Sequence, residues 1–263
     1  MTPLLEARGI SVRFGGVVAV ADFSFVVEGP GVYGIAGPNG SGKTTALNVI
    51  TRVQPLQTGS LCFGGIDYTS WPAHRVAALG VSRTFQNVRL VPTLTVLENV
   101  MVGLHSTSAA AGIWGSWAQL PSARREERRS RERAMELLRE LEILETASQL
   151  PSQLSYGHQR RVEIARAIAG DPKLLLLDEP TAGMGRSDAE LVAQLVRDLG
   201  HRRSMAIVIV EHNVPVLASL CDHLVIMLAG RNLTEGSPAA VLSDERVIEA
   251  YLGTSASRNP AKT

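Results

Sequence analysis

Short apolar runs separated by glycine-rich turns occupy the first part of the chain. Residues 4–33 alternate or run apolar in segments broken by glycines, which is typical of antiparallel strands. Further strands are predicted at residues 32–36, 60–66 and 81–85. The N-terminal part of the chain is therefore expected to be rich in antiparallel strands.

A helical pattern replaces the strands in the middle of the chain. Residues 92–104 and 132–146 have the apolar spacing of helices. In the second segment one stripe is formed by leucines, namely Leu137, Leu138, Leu141 and Leu144.

The two helical segments are joined by a stretch of different composition. Residues 106–122 are rich in Ala, Gly and Ser, and their Trp114 and Trp117 are expected either to dock on a partner or on lipid headgroups, or to pack inside a long loop. The charged run 124–131 mixes Arg with Glu. It predicts a solvated helix with i,i+4 pairs such as Glu127–Arg131 rather than a contact with nucleic acid or lipid.

Strands alternate with helices after residue 151. Apolar strands are predicted at 174–178, 205–211 and 223–228. Helices are predicted after residue 155, near 187–200 and at about 213–220. Strands separated by helices of this length predict a mostly parallel sheet covered on both faces. The small polar residues 254–263 predict a frayed, disordered tail.

Composition is that of a globular protein of the cytosol. The 263 residues are 45% apolar, and 26 basic against 25 acidic side chains give a formal net charge of +1, unlike the basic footprint of nucleic-acid binders. Cys62 and Cys221 are expected to be reduced thiols. The sequence shows no signal-peptide pattern and no apolar run near the ~20 residues of a membrane span. Any work at a membrane is therefore expected to be that of a peripheral subunit.

The most specific pattern is G-x-x-x-x-G-K-[ST] between a predicted strand and a predicted helix. Its residues, with the one that follows, are Gly37, Pro38, Asn39, Gly40, Ser41, Gly42, Lys43, Thr44 and Thr45. Backbone N–H groups of such a loop point at an anion, which the helix dipole also favours. Lys43 is expected to reach the β- and γ-phosphates and Thr44 to ligate Mg²⁺. The pattern predicts ATP or GTP binding, and a glycine-rich turn without a ligand is the alternative.

Two carboxylates follow the strand 174–178. Asp178 and Glu179 stand at its carboxyl end, where open α/β sheets bind ligands. Asp178 is expected to hold the Mg²⁺ shell, directly or through water, and Glu179 to accept a proton from the attacking water. Without the phosphate loop, the same pair would be interpreted as a helix cap after a core strand.

A second anion site is predicted about 110 residues after the first, in the run Leu154-Ser155-Tyr156-Gly157-His158-Gln159. Ser155 has the chemistry of a helix cap, and Gly157 leaves backbone N–H groups bare in the first turn. Two copies facing head to tail would use both sites, with each nucleotide held between one copy's loop and the other's Ser-x-Gly turn. An ordinary helix cap is the alternative.

In combination these motifs resemble the ATP-binding subunits of ABC transporters. The phosphate loop, Gln86, the Leu-Ser-x-Gly-x-Gln run, Leu-Leu-Asp-Glu-Pro and Glu211-His212 occur in that family's order, and the likeness covers about residues 4–253. It is greatest to the LivG-like type of branched-chain amino acid importers. The resemblance implies one ABC domain over residues 1–253, of the P-loop NTPase α/β fold: a mostly parallel sheet, an N-terminal antiparallel β subdomain and a helical subdomain inserted at about 87–160.

The resemblance also implies roles for single residues. Phe14 would stack on adenine, with a core aromatic as the alternative, and Gln86 would lie at the γ-phosphate. The implied catalytic residues are Glu179, His212 and Lys43. The implied Mg²⁺ ligands are Thr44, Gln86 and Asp178. The residues implied to contact the ATP of the opposing subunit are Ser155, Gly157 and Gln159.

Partners and location follow from the same resemblance. We expect a second cassette, identical or different, two permeases and, indirectly, an external solute-binding protein, but no nucleic acid. The chain is expected at the cytoplasmic face of the inner membrane. There, closure on ATP and reopening after hydrolysis would drive import of branched-chain or other hydrophobic amino acids.

Other functions are weighed against this one. Urea, amides or lipopolysaccharide stay open as cargo for the same motor, as does a non-transport ABC ATPase. Chromosome-maintenance ATPases need long heptad insertions and translation-associated ones carry two cassettes, and the sequence has neither. A nucleotide kinase would lack the Leu-Ser-x-Gly-x-Gln run, and a regulatory module would be expected to lose Glu179 or His212.

Two motifs depart from the family pattern. In the first, His158 stands where Gln is usual and Tyr156 where Gly is commoner, although Tyr is familiar in this subfamily. A titratable side chain at residue 158 predicts pH-sensitive closure. Gly185 stands where Asp or Asn is usual and has no side chain for the cross-subunit link, which the sequence does not assign to nearby Asp188.

Overall fold

The computed structural model describes residues 2–105 and 121–256, and the elements given below lie within these ranges. The strands are β1 (Leu5–Phe14), β2 (Val17–Val27), β3 (Gly31–Ala36), β4 (Thr58–Phe63), β5 (Ile66–Asp67), β6 (Val81–Arg83), β7 (Leu174–Asp178), β8 (Ala206–Glu211), β9 (His223–Leu228) and β10 (Arg231–Gly236). The helices are α1 (Lys43–Ile50), α2 (Ala73–Ala78), α3 (Val96–His105), α4 (Pro121–Glu140), α5 (Tyr156–Ile168), α6 (Arg186–Arg203), α7 (Val214–Leu220), α8 (Pro238–Leu242) and α9 (Glu245–Ala256).

The N-terminal strands form a four-stranded antiparallel sheet in the order β2-β1-β4-β5. In β1 the buried side chains are Leu5, Ala7, Ile10 and Val12. Residues between them are partly or fully exposed, so one face of the sheet packs on the core and the other faces solvent. This arrangement confirms the predicted antiparallel β region.

The second sheet has six strands in the order β10-β9-β3-β8-β7-β6. All neighbours are parallel except β10, which pairs antiparallel with β9. Ala36 pairs with Glu211, and Asp178 pairs with Val210, so β3, β7 and β8 end at the same edge. The loops that follow these three strands therefore meet at the carboxyl edge of the sheet, where ligands bind in folds of this class.

Apolar clusters cover both faces of the six-stranded sheet. In β7, Leu175 and Leu177 belong to one cluster, and Leu174 and Leu176 belong to the other. All four side chains are fully buried, as expected for a parallel strand with helices or a second sheet on both sides. This packing holds the carboxyl end of β7 in a fixed position.

The helical region differs from the sequence prediction in its boundaries. The first helix begins at Val96 rather than residue 92, and the second covers Pro121–Glu140 rather than 132–146. The predicted continuous helix through residue 146 is wrong because Glu142 adopts a left-handed φ of 57°, which an α-helix cannot continue through. Residues 144–146 form a separate 3-10 turn.

The charged run lies within α4, as predicted. An i,i+4 ion pair joins Arg128 to Glu132, just past the run, and their side chains are 81% and 53% exposed. Such an exposed pair contributes at most about 1 kcal/mol to stability. The predicted pair Glu127–Arg131 is not among the ion pairs of the described residues.

Some elements were not predicted, and some predictions lie outside the described residues. The sequence interpretation missed α2, β10, α8 and α9, and it extended β6 two residues too far. The single strand predicted at 60–66 is two strands, β4 and β5, separated by a turn at Gly64 and Gly65. Trp114, Trp117 and residues 257–263 of the predicted tail lie outside the described residues, whereas residues 254–256 end α9. Within the described ranges, no helix has the length and apolar character needed to span a membrane.

Candidate functional site

The loop between β3 and α1 is closely surrounded by backbone. Gly42 precedes the first helical residue in a left-handed conformation, with φ of 104°. A Cβ atom on Gly42 would lie 2.3 Å from the carbonyl oxygen of Ala19, and one on Gly37 would lie 2.2 Å from that of Met227. Neither carbonyl can move away easily, because both belong to the main chain. The structure therefore requires glycine at these two ends of the loop.

Lys43 is enclosed by this loop. Its side chain is buried, and Nζ donates hydrogen bonds to the carbonyl oxygens of Gly37 at 2.8 Å and Pro38 at 3.0 Å. Burial lowers the pKa of Lys43, and the carboxylates of Glu179, Asp178 and Glu211 act in the opposite direction. An ammonium group is thus held at the loop, facing the acidic side chains of the neighbouring strands.

Asp178 is fixed by two different partners. The hydroxyl of Thr44 donates to Oδ1 at 3.4 Å, and Nη2 of Arg83 lies 2.9 Å from Oδ2 in an ion pair that is almost fully buried. Arg83 also donates to Oδ1 of Asn48 at 2.6 Å. Sequence reasoning missed Arg83, because no spacing rule links a residue of β6 to the end of β7.

The oxygen atoms of Thr44 and Asp178 are donors of the kind that Mg²⁺ prefers. They lie side by side at the mouth of the phosphate loop. The hydroxyl of Ser41 is buried and finds no hydrogen-bond partner among the described residues, so the loop offers a further unused polar group. The chemistry of these groups therefore fits a phosphate-bound Mg²⁺ ion, with Thr44 and Asp178 as candidate ligands. A contact of Gln86 with such an ion stays a prediction.

Glu179 has a strained backbone and a polar neighbour. Its φ is 47°, a region that costs a non-glycine residue roughly 1–3 kcal/mol and is found most often at functional sites. Nε2 of Gln86 donates to Oε2 of Glu179 at 3.3 Å. The structure thus brings together Gln86, Glu179 and the loop of Lys43, as the sequence predicts.

Glu211 ends the adjacent strand β8, and His212 follows it. Glu211 is buried and accepts hydrogen bonds from the Thr181 hydroxyl at 2.6 Å and the Thr181 N–H at 3.2 Å. His212 is 53% exposed, and its Nδ1 lies 3.6 Å from Oε2 of Glu211. Glu211 therefore ties the segment after Glu179 to β8, while the imidazole of His212 stays accessible at the carboxyl edge.

Phe14 lies at the tip of the β1–β2 hairpin. Its side chain is 48% exposed, so it is not a core aromatic among the described residues. The same hairpin contacts the phosphate loop, because the carbonyl of Ala19 in β2 lies against Gly42. An exposed ring on the hairpin that contacts the loop is chemically suited to stacking on a base, and this role of Phe14 stays a prediction.

The Ser-x-Gly turn forms the N-terminus of α5. Ser155 caps the helix by accepting from the N–H of His158 at 3.3 Å, and its Oγ lies 2.7 Å from Nδ1 of the same residue. Ser155 is exposed, whereas Gly157 is buried against Asp188 of α6. Nε2 of Gln159 donates to the carbonyls that precede the helix, those of Pro151 and Leu154. A direct contact of Gln159 with a nucleotide stays a prediction, because its amide nitrogen already holds this turn.

Gly185 begins α6 without a side-chain cap. Asp188, in the first turn of that helix, lies 3.5 Å from where a Cβ atom of Gly157 would stand. Asp188, to which the sequence assigned no role, thus lies against the Ser-x-Gly turn of its own chain.

Comparison with known proteins decides the family. A family model described as "ABC transporter" matches residues 20–182. The chain belongs to the ABC transporter family. A second model, described as "Branched-chain amino acid ATP-binding cassette transporter", matches residues 231–257 of this ABC cassette.

Related ABC proteins match almost the whole chain. The cassette is 37% identical to the high-affinity branched-chain amino acid transport ATP-binding protein BraF of Pseudomonas aeruginosa, over 95% of this chain and 98% of that protein. It is 34% identical to LivG of Escherichia coli, a protein of the same description, with the same coverage. It is 32% identical to the lipopolysaccharide export system ATP-binding protein LptB of Haemophilus influenzae, over 95% of this chain and 97% of that protein.

Solved ABC cassettes share the fold. The ADP conformation of the cassette MJ1267 matches with a TM-score of 0.81 and 30% identity, over 96% of this chain and 100% of that one. A dimeric, post-hydrolysis structure of the cassette MJ0796 bound to ADP and Pi matches with a TM-score of 0.74 and 26% identity, over 89% of this chain and 98% of that one. The predicted fold class is confirmed, and the chain is an ATP-binding and ATP-hydrolysing cassette.

Proposed function

We propose that this cassette powers the import of branched-chain or other hydrophobic amino acids. Support for this cargo comes from BraF and LivG, which are described as branched-chain amino acid transport proteins, and from the match of residues 231–257 to a model of the same description. Lipopolysaccharide export is the second candidate, since LptB is only slightly less similar. Urea and amides have no such relative among those compared above.

The observation that carries the proposed cycle is that two different helices begin with groups suited to phosphate. The loop of Lys43 lies with Asp178, Glu179 and Gln86 at one sheet edge, whereas the exposed Ser155 turn begins a different helix. We infer that ATP bound at the loop is completed by Ser155 and Gly157 of a second cassette. Binding closes the pair, and hydrolysis reopens it.

The residues at the sheet edge are suited to hydrolysis. The oxygen of a water molecule forms a bond to the γ-phosphorus, the bond to the β–γ bridging oxygen breaks, and ADP and phosphate are released. Glu179 takes the water's proton, a step typically worth 10²–10⁴-fold in rate. His212 and Gln86 orient the water and the γ-phosphate, and Lys43 holds the phosphate charge. A Mg²⁺ ion at Thr44 and Asp178 would neutralise charge on the phosphate oxygens.

A membrane-spanning permease is the proposed partner of the helical region. Exposed apolar side chains lie along the segment 85–150, among them Val91, Val102 and Leu150, which are 37%, 43% and 38% exposed. Such side chains are a suitable surface for docking another protein. We propose two permeases, a second cassette and an external solute-binding protein, with this chain at the cytoplasmic face of the inner membrane.

Uptake by cells tests this proposal. A strain that lacks the chain is complemented with the natural sequence, with Glu179→Gln or with the control Glu132→Gln, and uptake of labelled leucine is measured. We expect uptake with the natural sequence and the control, and at least a ~100-fold loss with Glu179→Gln. Leucine uptake that does not depend on the chain, together with a defect in surface lipopolysaccharide, would instead support the export function.

A further inference from the structure

Arg160 is a fully buried arginine in the second turn of α5. Its Nη1 donates to the carbonyl of Phe85 and its Nη2 to the carbonyl of Gln86, both at 2.7 Å. Nη2 also lies 3.3 Å from the hydroxyl of Tyr156. One guanidinium therefore holds two consecutive carbonyls of the segment that carries Gln86.

Glu163 completes the contact from the other side. Its Oε2 accepts from Nη1 of Arg160 at 2.7 Å, and its Oε1 accepts from the N–H of Arg89 at 3.4 Å. Both partners of this ion pair are almost fully buried. Burial raises the pKa of Glu163, while the positive charge of Arg160 opposes that shift. The pair thus holds the segment 85–89 through its carbonyls and through an N–H group.

This ion pair connects two parts of the proposed ATPase that serve different nucleotides. Gln86 contacts Glu179, at the site that its own chain's loop forms. Ser155 caps the helix in which Arg160 lies five residues further along, so both residues belong to the start of one hydrogen-bonded helix. The guanidinium of Arg160 therefore links the Gln86 segment to the helix that begins at the Ser155 turn.

We propose that Arg160 is a positioning residue that couples Gln86 to the Ser155 turn of the same chain. This inference rests on the proposed closure of two cassettes. The nucleotide bound at the loop of one chain would set the position of that chain's Ser155 turn, which completes the nucleotide site of the other chain. Replacement of a buried ion pair by apolar side chains of similar volume is often neutral for stability, so a role of Arg160 in positioning can be separated by experiment from a role in stability.

The test removes the ion pair without leaving a buried charge. Arg160→Met/Glu163→Leu makes both positions apolar, and Arg128→Met/Glu132→Leu removes the exposed Arg–Glu pair of α4 as a matched control. A third variant, Arg160→Lys, keeps the charge but lacks the two-pronged group that spans both carbonyls. Thermal unfolding and ATP affinity are measured on each isolated chain, and kcat and KM on the assembled transporter.

We expect Arg160→Met/Glu163→Leu to unfold as a cooperative protein and to bind ATP within about twofold of the natural chain. Its kcat in the assembled transporter should fall at least ~10-fold with KM little changed, and Arg160→Lys should restore only part of this loss. If Arg160→Met/Glu163→Leu folds and keeps the natural kcat, the proposed coupling is overturned. It is also overturned if the ATP affinity of this variant falls as much as its kcat. If the natural chain itself shows no ATP turnover in the transporter, the proposed function fails independently of Arg160.

Discussion

Two helices of this chain begin with groups suited to phosphate, and their surroundings differ. The start of α1 is enclosed, since a Cβ atom on Gly42 would lie 2.3 Å from a main-chain oxygen and Lys43 is buried. The start of α5 is capped by the exposed Ser155, and a Cβ atom on Gly157 would make only an ordinary contact of 3.5 Å with Asp188. The start of α1 is enclosed by its own chain, whereas Ser155 at the start of α5 is exposed, as our proposal of a shared site requires.

The largest effect is expected at the closed site. Lys43→Ala removes the ammonium group that the loop encloses, and charge-assisted hydrogen bonds to phosphate are among the strongest a protein makes. We expect ATP affinity to fall about 100-fold or more and turnover to become undetectable. Titration calorimetry measures the affinity, with Lys173→Ala, an exposed lysine, as control. An affinity equal to that of the control would contradict the role of Lys43.

The open site should respond in turnover but not in binding. Ser155→Asp keeps a good helix cap but places a negative charge where the partner's phosphate is expected. We expect turnover to fall about 100-fold, as when an oxyanion-stabilising donor is lost, while ATP affinity of the isolated chain stays within about twofold. Ser152→Asp, in the exposed turn before it, is the control. Equal loss of affinity and turnover would mean that Ser155 serves its own chain's nucleotide.

One substitution made at both sites sharpens the contrast. Gly42→Ala forces a side chain into a left-handed conformation and against the carbonyl of Ala19. Gly157→Ala meets only Asp188 at an ordinary distance. We expect Gly42→Ala to lose at least ~10-fold in ATP affinity and Gly157→Ala to keep the natural affinity. The two-site interpretation does not survive if both variants bind ATP alike.

Residues of the closed site could be predicted because they are neighbours in sequence. The loop 37–45 and the pair Asp178-Glu179 are contiguous motifs whose chemistry follows from their spacing. Arg83 and Arg160 could not be predicted, since their partners lie 95 and 75 residues away and only the folded sheet brings them together. The end of the helix before Glu142 could not be predicted either, because the leucine stripe continues past this residue and its left-handed φ has no mark in the sequence.

The smallest effect concerns the histidine of the open site. Oγ of Ser155 lies 2.7 Å from Nδ1 of His158, and the tautomer and charge of the imidazole together decide which of the two atoms donates. Histidine side chains change charge between about pH 5 and 8. We expect His158→Gln to flatten the pH profile of ATP turnover between about pH 6 and 8. A profile with the natural shape would exclude this linkage.

The central claim is that each nucleotide site is shared by two cassettes, and the mass of a hydrolysis-deficient chain tests it most directly. Glu179→Gln is mixed with ATP, alone and with the partner cassette of the same transporter, and its mass is measured by light scattering beside that of Glu179→Gln/Ser155→Asp. We predict a two-cassette particle that forms only with ATP and is lost in the double variant. Two results together would contradict the claim. The Glu179→Gln chain would bind ATP yet keep the mass of one cassette, both alone and with the partner cassette. The natural chain would show an ATP turnover per molecule that is independent of its concentration.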